Sequence, residues 1–263
     1  MEFTDVIYEK QDGIATISMN RPERLNAFGG SMLEEMAEAV VDARDDDSMR
    51  VIVITGKGRA FSAGGDVGSL GPQSGSSTAF DQRRWLVSTQ TFVSLFRSVE
   101  KPIIAAVNGA AVGGGCDVAL ACDIRIASDR ARFGEVFAKV GLFPGTGGCY
   151  MLPRIVGTAK ALELIWSGDI IDAAEAERLG LVTKVVPDER LMEETREFAQ
   201  RFVNGPPLAM ALAKAAVYRG LDMSVHDALS YAATAESITL TSEDHKEGSR
   251  AFFEKRAPVF RGR

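Results

Sequence analysis

The stretch that decides the fold runs from Lys101 to Asp123 and reads Lys-Pro-Ile-Ile-Ala-Ala-Val-Asn-Gly-Ala-Ala-Val-Gly-Gly-Gly-Cys-Asp-Val-Ala-Leu-Ala-Cys-Asp. Its apolar run from Ile103 to Val107 has the length and the β-branched content of a buried strand. Three glycines then precede a segment from Cys116 to Ala121 that is predicted to be helical. A strand that ends in glycines and opens a helix forms a cradle of backbone N–H groups, and the helix dipole adds positive potential there. The pattern therefore predicts a site for negative charge that develops on an oxygen.

A carboxylate lies beside this predicted cradle, because Asp117 falls in the first turn of the predicted helix. An acid next to an oxyanion cradle indicates proton transfer close to a carbonyl group. The two histidines, His226 and His245, fall in a charged helical region, and the three cysteines fit no metal-ligand spacing. We therefore expect neither a histidine triad nor a metal site.

Composition indicates a globular protein: 46% of the 263 residues are hydrophobic and 25% are charged. The net charge of −6 argues against a nucleic-acid partner, which would favour a basic surface. The apolar runs are too short for a membrane span, and the N-terminal residues lack the features of a signal peptide. With only three cysteines, we expect reduced thiols and a cytoplasmic location.

Strand and helix signals alternate along most of the chain, which predicts an α/β architecture with largely parallel strands. The strand signals stop near Arg190, and four helical segments follow. We therefore predict two parts: an α/β core over residues 1–190 that contains the site, and a helical C-terminal region over residues 191–263.

Several short motifs, in this order and spacing, resemble the crotonase-fold or enoyl-CoA hydratase/isomerase superfamily over nearly the whole chain. They include Asn20-Arg21-Pro22, Phe61-Ser62-Ala63-Gly64-Gly65-Asp66, Gly113-Gly114-Gly115-Cys116-Asp117, Phe133-Gly134, and Gly145-Thr146-Gly147-Gly148.

The resemblance implies a spiral of ββα units with a C-terminal helical region used for trimerisation, commonly as a dimer of trimers. It also implies an acyl-CoA thioester as ligand, with no cofactor other than the coenzyme A that the substrate brings. Two backbone N–H groups polarise the thioester carbonyl in the family, and their positions match Gly65 and Gly114. Glycine at both positions lets backbone and ligand approach closely.

The acids depart from the family pattern. Hydratases of the family use two glutamates, and the first of these matches Asp117 while the second matches Phe137. Glu135 is the nearest replacement: in an extended chain it shares a face with Phe137, whereas at a helix start it becomes a surface charge near Lys139. Asp117 alone also has a purely structural interpretation, as a charge that complements a helix N-terminus.

The resemblance also suggests contacts for the substrate, and a mobile segment over residues 68–82 is expected to shape the acyl pocket. Leu86 and Phe92 either line that pocket or pack in the core. Asp66 is interpreted mainly as a brace for the glycine turn. The substrate- and CoA-binding candidates are Arg24, Leu25, Ser62, Ala63, Gly64, Asp66, Val67, Phe137 and Phe260.

These residues predict an enzyme that acts on an acyl-CoA thioester through an enolate. Hydration of a 2-enoyl-CoA is the first expectation. Double-bond isomerisation or acyl-CoA hydrolysis by a single carboxylate is the second, because the second family glutamate is absent. A CoA-ester-binding protein without activity is the remaining alternative, since fold alone does not determine function.

Overall fold

A computed structural model describes residues 3–66 and 78–263. Val67 and most of the segment expected to shape the acyl pocket lie outside the described residues. The strands are β1 Val6–Gln11, β2 Ile14–Met19, β3 Val51–Gly56, β4 Ala60–Ser62, β5 Ile103–Val107, β6 Ala110–Val112, β7 Ile124–Ser128, β8 Arg132–Gly134, β9 Ile171–Asp172 and β10 Lys184–Val186. The α-helices are α1 Met32–Asp45, α2 Ala79–Ser98, α3 Gly114–Ala121, α4 Gly148–Val156, α5 Thr158–Ser167, α6 Ala173–Arg178, α7 Leu191–Val203, α8 Pro207–Gly220, α9 Val225–Thr241 and α10 Glu243–Glu254.

The strands form two sheets, and the chain alternates between them. The larger sheet has the order β1-β2-β3-β5-β7-β10, and the smaller has the order β4-β6-β8-β9. All pairs are parallel except β1 with β2 and β8 with β9. Each of the units β3-β4-α2, β5-β6-α3 and β7-β8-α4 therefore adds one strand to each sheet and one helix. This confirms the predicted spiral of ββα units.

The central strands β2, β3 and β5 of the larger sheet are buried on both faces, as is typical of a parallel sheet covered by helices. Ile52 and Ile54 of β3 join one apolar cluster, whereas Val51 and Val53 join a second. Neighbouring residues separate in this way because side chains alternate along a strand. The second cluster includes Leu191 and Ala199 of α7. The first helix after residue 190 thus packs as part of the core, while the proposed two-part division stays a prediction.

Several of the hydrogen bonds that attach α8 to the core converge on one carboxylate, that of Asp123. It accepts hydrogen bonds from Lys214 Nζ at 2.7 Å and Tyr218 OH at 2.6 Å, both on α8. It also accepts the backbone N–H of Ile103 at 2.7 Å, at the start of β5. This arrangement fixes α8 relative to the strand that leads into the predicted cradle.

The local pattern misplaces one boundary that matters for function. The helix predicted from Cys116 begins two residues earlier, at Gly114, so that Gly114 and Gly115 form its first turn. The sequence places the glycines before the predicted helix, since glycine weakens a helix interior. At a helix start they are tolerated, and here they are required by close contacts with the preceding loop.

A buried amide supports the loop that faces this helix. Asn26 is fully buried, and its Nδ2 donates to Lys57 O at 2.9 Å and Ala60 O at 2.8 Å. Its Oδ1 accepts the N–H of Arg21 at 2.9 Å. Asn26 has a φ of +54°, which asparagine tolerates better than most residues. One side chain therefore holds the segment after β2 against the segment before β4.

We predict that Asn26→Ala lowers the free energy of unfolding by about 2–4 kcal/mol, because buried carbonyl and N–H groups lose their partners. Urea unfolding at fixed protein concentration measures the change. The exposed Asn204→Ala is the control, and it should change stability by less than about 0.5 kcal/mol. Equal effects of the two substitutions would contradict this account of the loop.

Candidate active site

The first half of the site is the loop that follows β4. The N–H of Phe28 donates to Gly64 O at 2.7 Å, and the N–H of Asp66 donates to Phe28 O at 3.2 Å. These bonds flank Gly65 and fix its peptide. The Gly65 N–H itself has no partner among the described residues, so it is available to a ligand.

The second half is the N-terminus of α3, which touches that loop backbone to backbone. Gly64 has a φ of +82°, and a Cβ there would lie 2.7 Å from both Gly114 N and Val112 O. A Cβ on Gly115 would lie 2.2 Å from Ser62 O. Neither position accepts a side chain. The N–H of Gly114 begins the helix and has no partner in the described part of the chain. Gly65 and Gly114, the two predicted oxyanion donors, therefore belong to segments in direct contact.

Two carboxyl groups lie together beside this cradle. Asp117, in the first turn of α3, is fully buried, and Glu135, directly after β8, is 1% exposed. A Cβ on Gly148 would lie 2.7 Å from Asp117 Oδ1 and 2.8 Å from Glu135 Oε1. Both acids therefore border the same small space, which exists because residue 148 has no side chain. The surface alternative for Glu135 is wrong.

The backbone conformation explains how Glu135 reaches this space. Glu135 has φ −88° and ψ 69° and immediately precedes a 3₁₀ helix, Val136–Val140. The chain is thus not extended at Glu135, and a helix does start there, as the second alternative from the sequence expected; only the expectation that such a start makes Glu135 a surface charge is wrong. Phe137, which the resemblance matches to the family's second glutamate, is half-buried, and its ring Cζ lies 3.8 Å from where a Cβ on Gly113 would be. It adds an apolar wall next to the helix start.

Asp117 has a hydrogen-bond donor that Glu135 lacks. The hydroxyl of Thr146 donates to Asp117 Oδ2. Asp117 Oδ1 and both oxygens of Glu135 are buried without a hydrogen-bond partner among the described residues. Neither acid takes part in an ion pair in the described part of the chain. The two acids are therefore chemically unequal.

Burial raises the pKa of both carboxyl groups above their ordinary values. For Glu135 the charge of Asp117 raises the pKa further, and the weak Cys116 thiol opposes this. For Asp117 the Thr146 hydroxyl and the Gly148 N–H act in the opposite direction, because they favour the ionised form. Two acids on one buried space lose their protons in separate steps, so the pair holds one proton near neutral pH. The site thus offers one base and one acid.

The remaining predicted site residues are divided between this region and the rest of the molecule. Ser62 is buried; its hydroxyl donates to Asn26 O at 2.7 Å and accepts the N–H of Gly64 at 3.1 Å. Ser62 therefore supports the glycine loop from behind. The N–H of Ala63 donates to Leu25 O at 2.9 Å, which places the half-buried Leu25 and the exposed Arg24 along the edge of the same loop. Asp66 ends the described part of that loop.

Phe260 is not brought to the carboxylate pair within one chain. Its ring lies against α10, 3.4 Å from where a Cβ on Gly248 would be. It lines a cavity with Phe252 and Phe253 that neither carboxylate borders. A substrate contact through Phe260 would have to come from another copy of the chain, and stays a prediction.

Helix α2 packs against the loop that contains Thr146. Gln90 Nε2 donates to Gly145 O at 2.7 Å, and Leu86 Cδ2 lies 3.6 Å from where a Cβ on Gly145 would be. Phe92 is buried and packs edge-on against Phe28 and Phe96. Of the two alternatives, Phe92 therefore belongs to the core and Leu86 lies beside the loop that contains Thr146.

Other site types lack support among the described residues. No group of three or more histidine, cysteine, aspartate or glutamate side chains there could hold a metal ion. No helix within residues 3–66 and 78–263 is both long and apolar enough to cross a membrane.

Comparison with known proteins identifies the family of this chain. The family model described as enoyl-CoA hydratase/isomerase matches residues 9–263. The chain belongs to the enoyl-CoA hydratase/isomerase family. It is 39% identical over 261 residues to a crotonyl-CoA hydratase of Syntrophomonas wolfei, with 99% of each chain covered. It is 38% identical to a short-chain-enoyl-CoA hydratase of Clostridium acetobutylicum, with 97% of each covered. The crystal structure of an enoyl-CoA hydratase from Bacillus anthracis superposes with a TM-score of 0.93 at 33% identity, covering 99% of this chain and 100% of that one.

Within this family frame, sequence reasoning assigned no role to two residues that the structure places at the site, Thr146 and Gly148. Both lie in the Gly145-Thr146-Gly147-Gly148 motif that supported the resemblance. The sequence feature that could have indicated Thr146 is its hydroxyl group, which stands among glycines directly before α4. The contact with Asp117 joins residues 29 positions apart, which no local pattern reveals.

The raised pKa of Glu135 predicts that folding is weakened as the pH rises. Below its ordinary pKa the carboxyl is protonated in both states. Above it, the unfolded chain releases the proton first, so stability falls until the raised folded pKa is passed. Glu135→Gln removes this titration. The variant should gain at least about 1 kcal/mol over the natural protein between about pH 5 and pH 8, since one pKa unit corresponds to ~1.4 kcal/mol.

Urea unfolding at both pH values measures the difference. The exposed Glu189→Gln is the matched control and should show no such trend. A stability gap for Glu135→Gln that is constant with pH would mean that Glu135 does not titrate abnormally.

Proposed function

We propose that this protein hydrates a 2-enoyl-CoA thioester. The observation that supports this most strongly is the buried pair Asp117–Glu135 beside the N–H groups of Gly65 and Gly114, which have no partner within residues 3–66 and 78–263. Hydration requires a base for water, an acid for the α-carbon, and donors for the thioester oxygen. The described site offers one group for each requirement.

The proposed step adds water across the double bond. Asp117 takes one proton from water, and the remaining hydroxide oxygen forms a bond to the β-carbon. The π electrons move toward the thioester, whose oxygen becomes an enolate held by the Gly65 and Gly114 N–H groups. Glu135 then gives its proton to the α-carbon. Return of the proton from Asp117 to Glu135 across their common space restores the starting state.

The names of the relatives support this choice of reaction. The chain is similar over nearly its full length to proteins named crotonyl-CoA hydratase and short-chain-enoyl-CoA hydratase. A short acyl chain is therefore the first substrate to test. The reaction needs no group beyond the coenzyme A of the substrate, and a cytoplasmic location remains part of the proposal.

One observation favours a second candidate, double-bond isomerisation. Phe137 occupies the position of the family's second glutamate and cannot transfer a proton. If Glu135 does not replace that acid, Asp117 alone could remove a proton from one carbon and return it to another. The two candidates differ in whether the product gains a water molecule.

Paired substitutions separate the candidates. Asp117→Asn keeps the shape and removes the base, so kcat should fall by at least ~100-fold for either reaction. Glu135→Gln should cost ~100-fold or more if both acids take part, and little if Asp117 acts alone. Mass spectrometry after incubation with crotonyl-CoA, a longer 2-enoyl-CoA and a 3-enoyl-CoA distinguishes a hydrated product, an isomer and a free acid.

The same assay in deuterated water reports where the second proton enters, because hydration places deuterium on the α-carbon. Glu189→Gln serves as the control with unchanged kcat. Near-normal turnover in a correctly folded Asp117→Asn variant would overturn the mechanism for every reaction considered. Raised hydration in Phe137→Glu would show that the missing acid limits the natural protein.

Assembly is the second part of the proposal. Helices α8 and α9 have no buried residue, although both are fully described. They expose large apolar side chains, namely Val217, Val225, Leu229, Ile238 and Leu240. Exposed apolar surface of this extent is typical of a protein interface, and we propose that it forms a trimer or a dimer of trimers.

We predict a trimeric or hexameric mass by light scattering at micromolar concentration. Leu229→Glu places a charge within this surface and should shift the protein toward smaller species, whereas Glu189→Gln should not. A monomer for the natural protein would contradict the proposal and would also remove any substrate contact supplied by Phe260 of another copy.

A further inference from the structure

Thr146 stands among glycines in the Gly145-Thr146-Gly147-Gly148 motif and is not one of the predicted catalytic or binding residues. It is half-buried and two residues before α4 begins at Gly148. Gln90 on α2 holds the neighbouring Gly145 carbonyl at 2.7 Å, which fixes the loop from the outside. The Thr146 hydroxyl is thereby directed at Asp117 Oδ2.

This contact divides the two oxygens of Asp117 into different roles. Oδ2 accepts the hydroxyl of Thr146, whereas Oδ1 has no partner in the described part of the chain. Oδ1 is also the oxygen that borders the space at Gly148, opposite Glu135 Oε1. The oxygen that faces the reacting space is therefore the one left free.

The other titratable groups around the pair do not create this difference. Cys116 on α3 and Cys149 on α4 are the neighbours whose own pKa values are raised by burial and by the two carboxylates. A neutral thiol is at most a weak donor. Neither acid forms an ion pair with a lysine or arginine of the described residues. Among side chains, the strong donor that distinguishes the two acids is the Thr146 hydroxyl.

Building on the proposed function, we infer that Thr146 is a positioning residue that makes Asp117 the base and Glu135 the acid. Together with the Gly148 N–H, its hydrogen bond favours the ionised form of Asp117, so the single proton of the pair resides on Glu135. It also holds the Asp117 side chain with Oδ1 toward the reacting space. Both effects act on the transition state through Asp117, without contact between Thr146 and substrate.

The shorter side chain of aspartate gives this contact its importance. Glutamate at the family position would reach one methylene further. A misplacement near 1 Å can cost ~100-fold in rate, so a short side chain depends on a partner that fixes its direction. Since the Thr146 bond comes from the opposite segment, it fixes Asp117 relative to Gly148 and Glu135 together.

Thr146→Val tests the inference, because valine keeps the shape and removes the donor. We expect kcat on the best 2-enoyl-CoA to fall by about 10-fold or more while KM changes by less than about 3-fold, since the lost bond is to a charged group. The acid limb of the pH profile should move to higher pH, because an unsupported carboxylate takes up its proton more readily. Thr146→Ser restores the hydroxyl and should recover both properties. The exposed Thr183→Val is the control and should leave them unchanged.

A second measurement does not depend on turnover. Infrared difference spectra across the pH range follow the carboxyl titrations, and the band lost in Asp117→Asn identifies Asp117. Its midpoint should rise in Thr146→Val and return in Thr146→Ser. An unchanged midpoint overturns the inference, and so does unchanged kcat with an unchanged pH profile. A natural protein that converts no enoyl-CoA refutes the proposed function alone, because the titration still decides the role of Thr146.

Discussion

Two carboxyl groups on one buried space, with no cation beside them among the described residues, are the constraint on which the rest of this structure depends. Burial alone disfavours their charge, and each opposes the ionisation of the other. Folding must therefore provide enough stability elsewhere to keep Asp117 and Glu135 together. The buried parallel sheet and its two apolar clusters provide that stability. The energetic cost of burial therefore falls on Asp117 and Glu135, the groups that the proposed reaction uses as base and acid.

The spiral of ββα units places these groups directly after successive strands of one sheet. The loop after β4 supplies Gly65, the helix after β6 supplies Gly114 and Asp117, and the chain after β8 supplies Glu135. Because β4, β6 and β8 are neighbours in the smaller sheet, the segments that follow them lie at the same edge. The fold therefore brings donors and acids together by repeating one local arrangement. It does not itself determine which residue types stand at the acid positions.

A buried carboxyl and a half-buried aromatic ring stand two residues apart after β8. The resemblance matches the family's second glutamate to Phe137, and we propose that Glu135, whose carboxyl borders the same space as Asp117, takes its place. The 3₁₀ helix that starts after Glu135 makes this possible, because its turn separates the directions of neighbouring side chains.

The sequence by itself determined the α/β class, the glycine cradle, the position of Asp117 and the family, because each depends on local periodicity or on short motifs. It also indicated Gly65 and Gly114 as donors. Only the tertiary structure decided that Glu135 points inward and that Thr146 reaches Asp117. Thr146 and Asp117 are 29 residues apart, and their contact depends on how α4 packs on α3. Side-chain directions of this kind follow from packing between elements, so no pattern within one element could contain them.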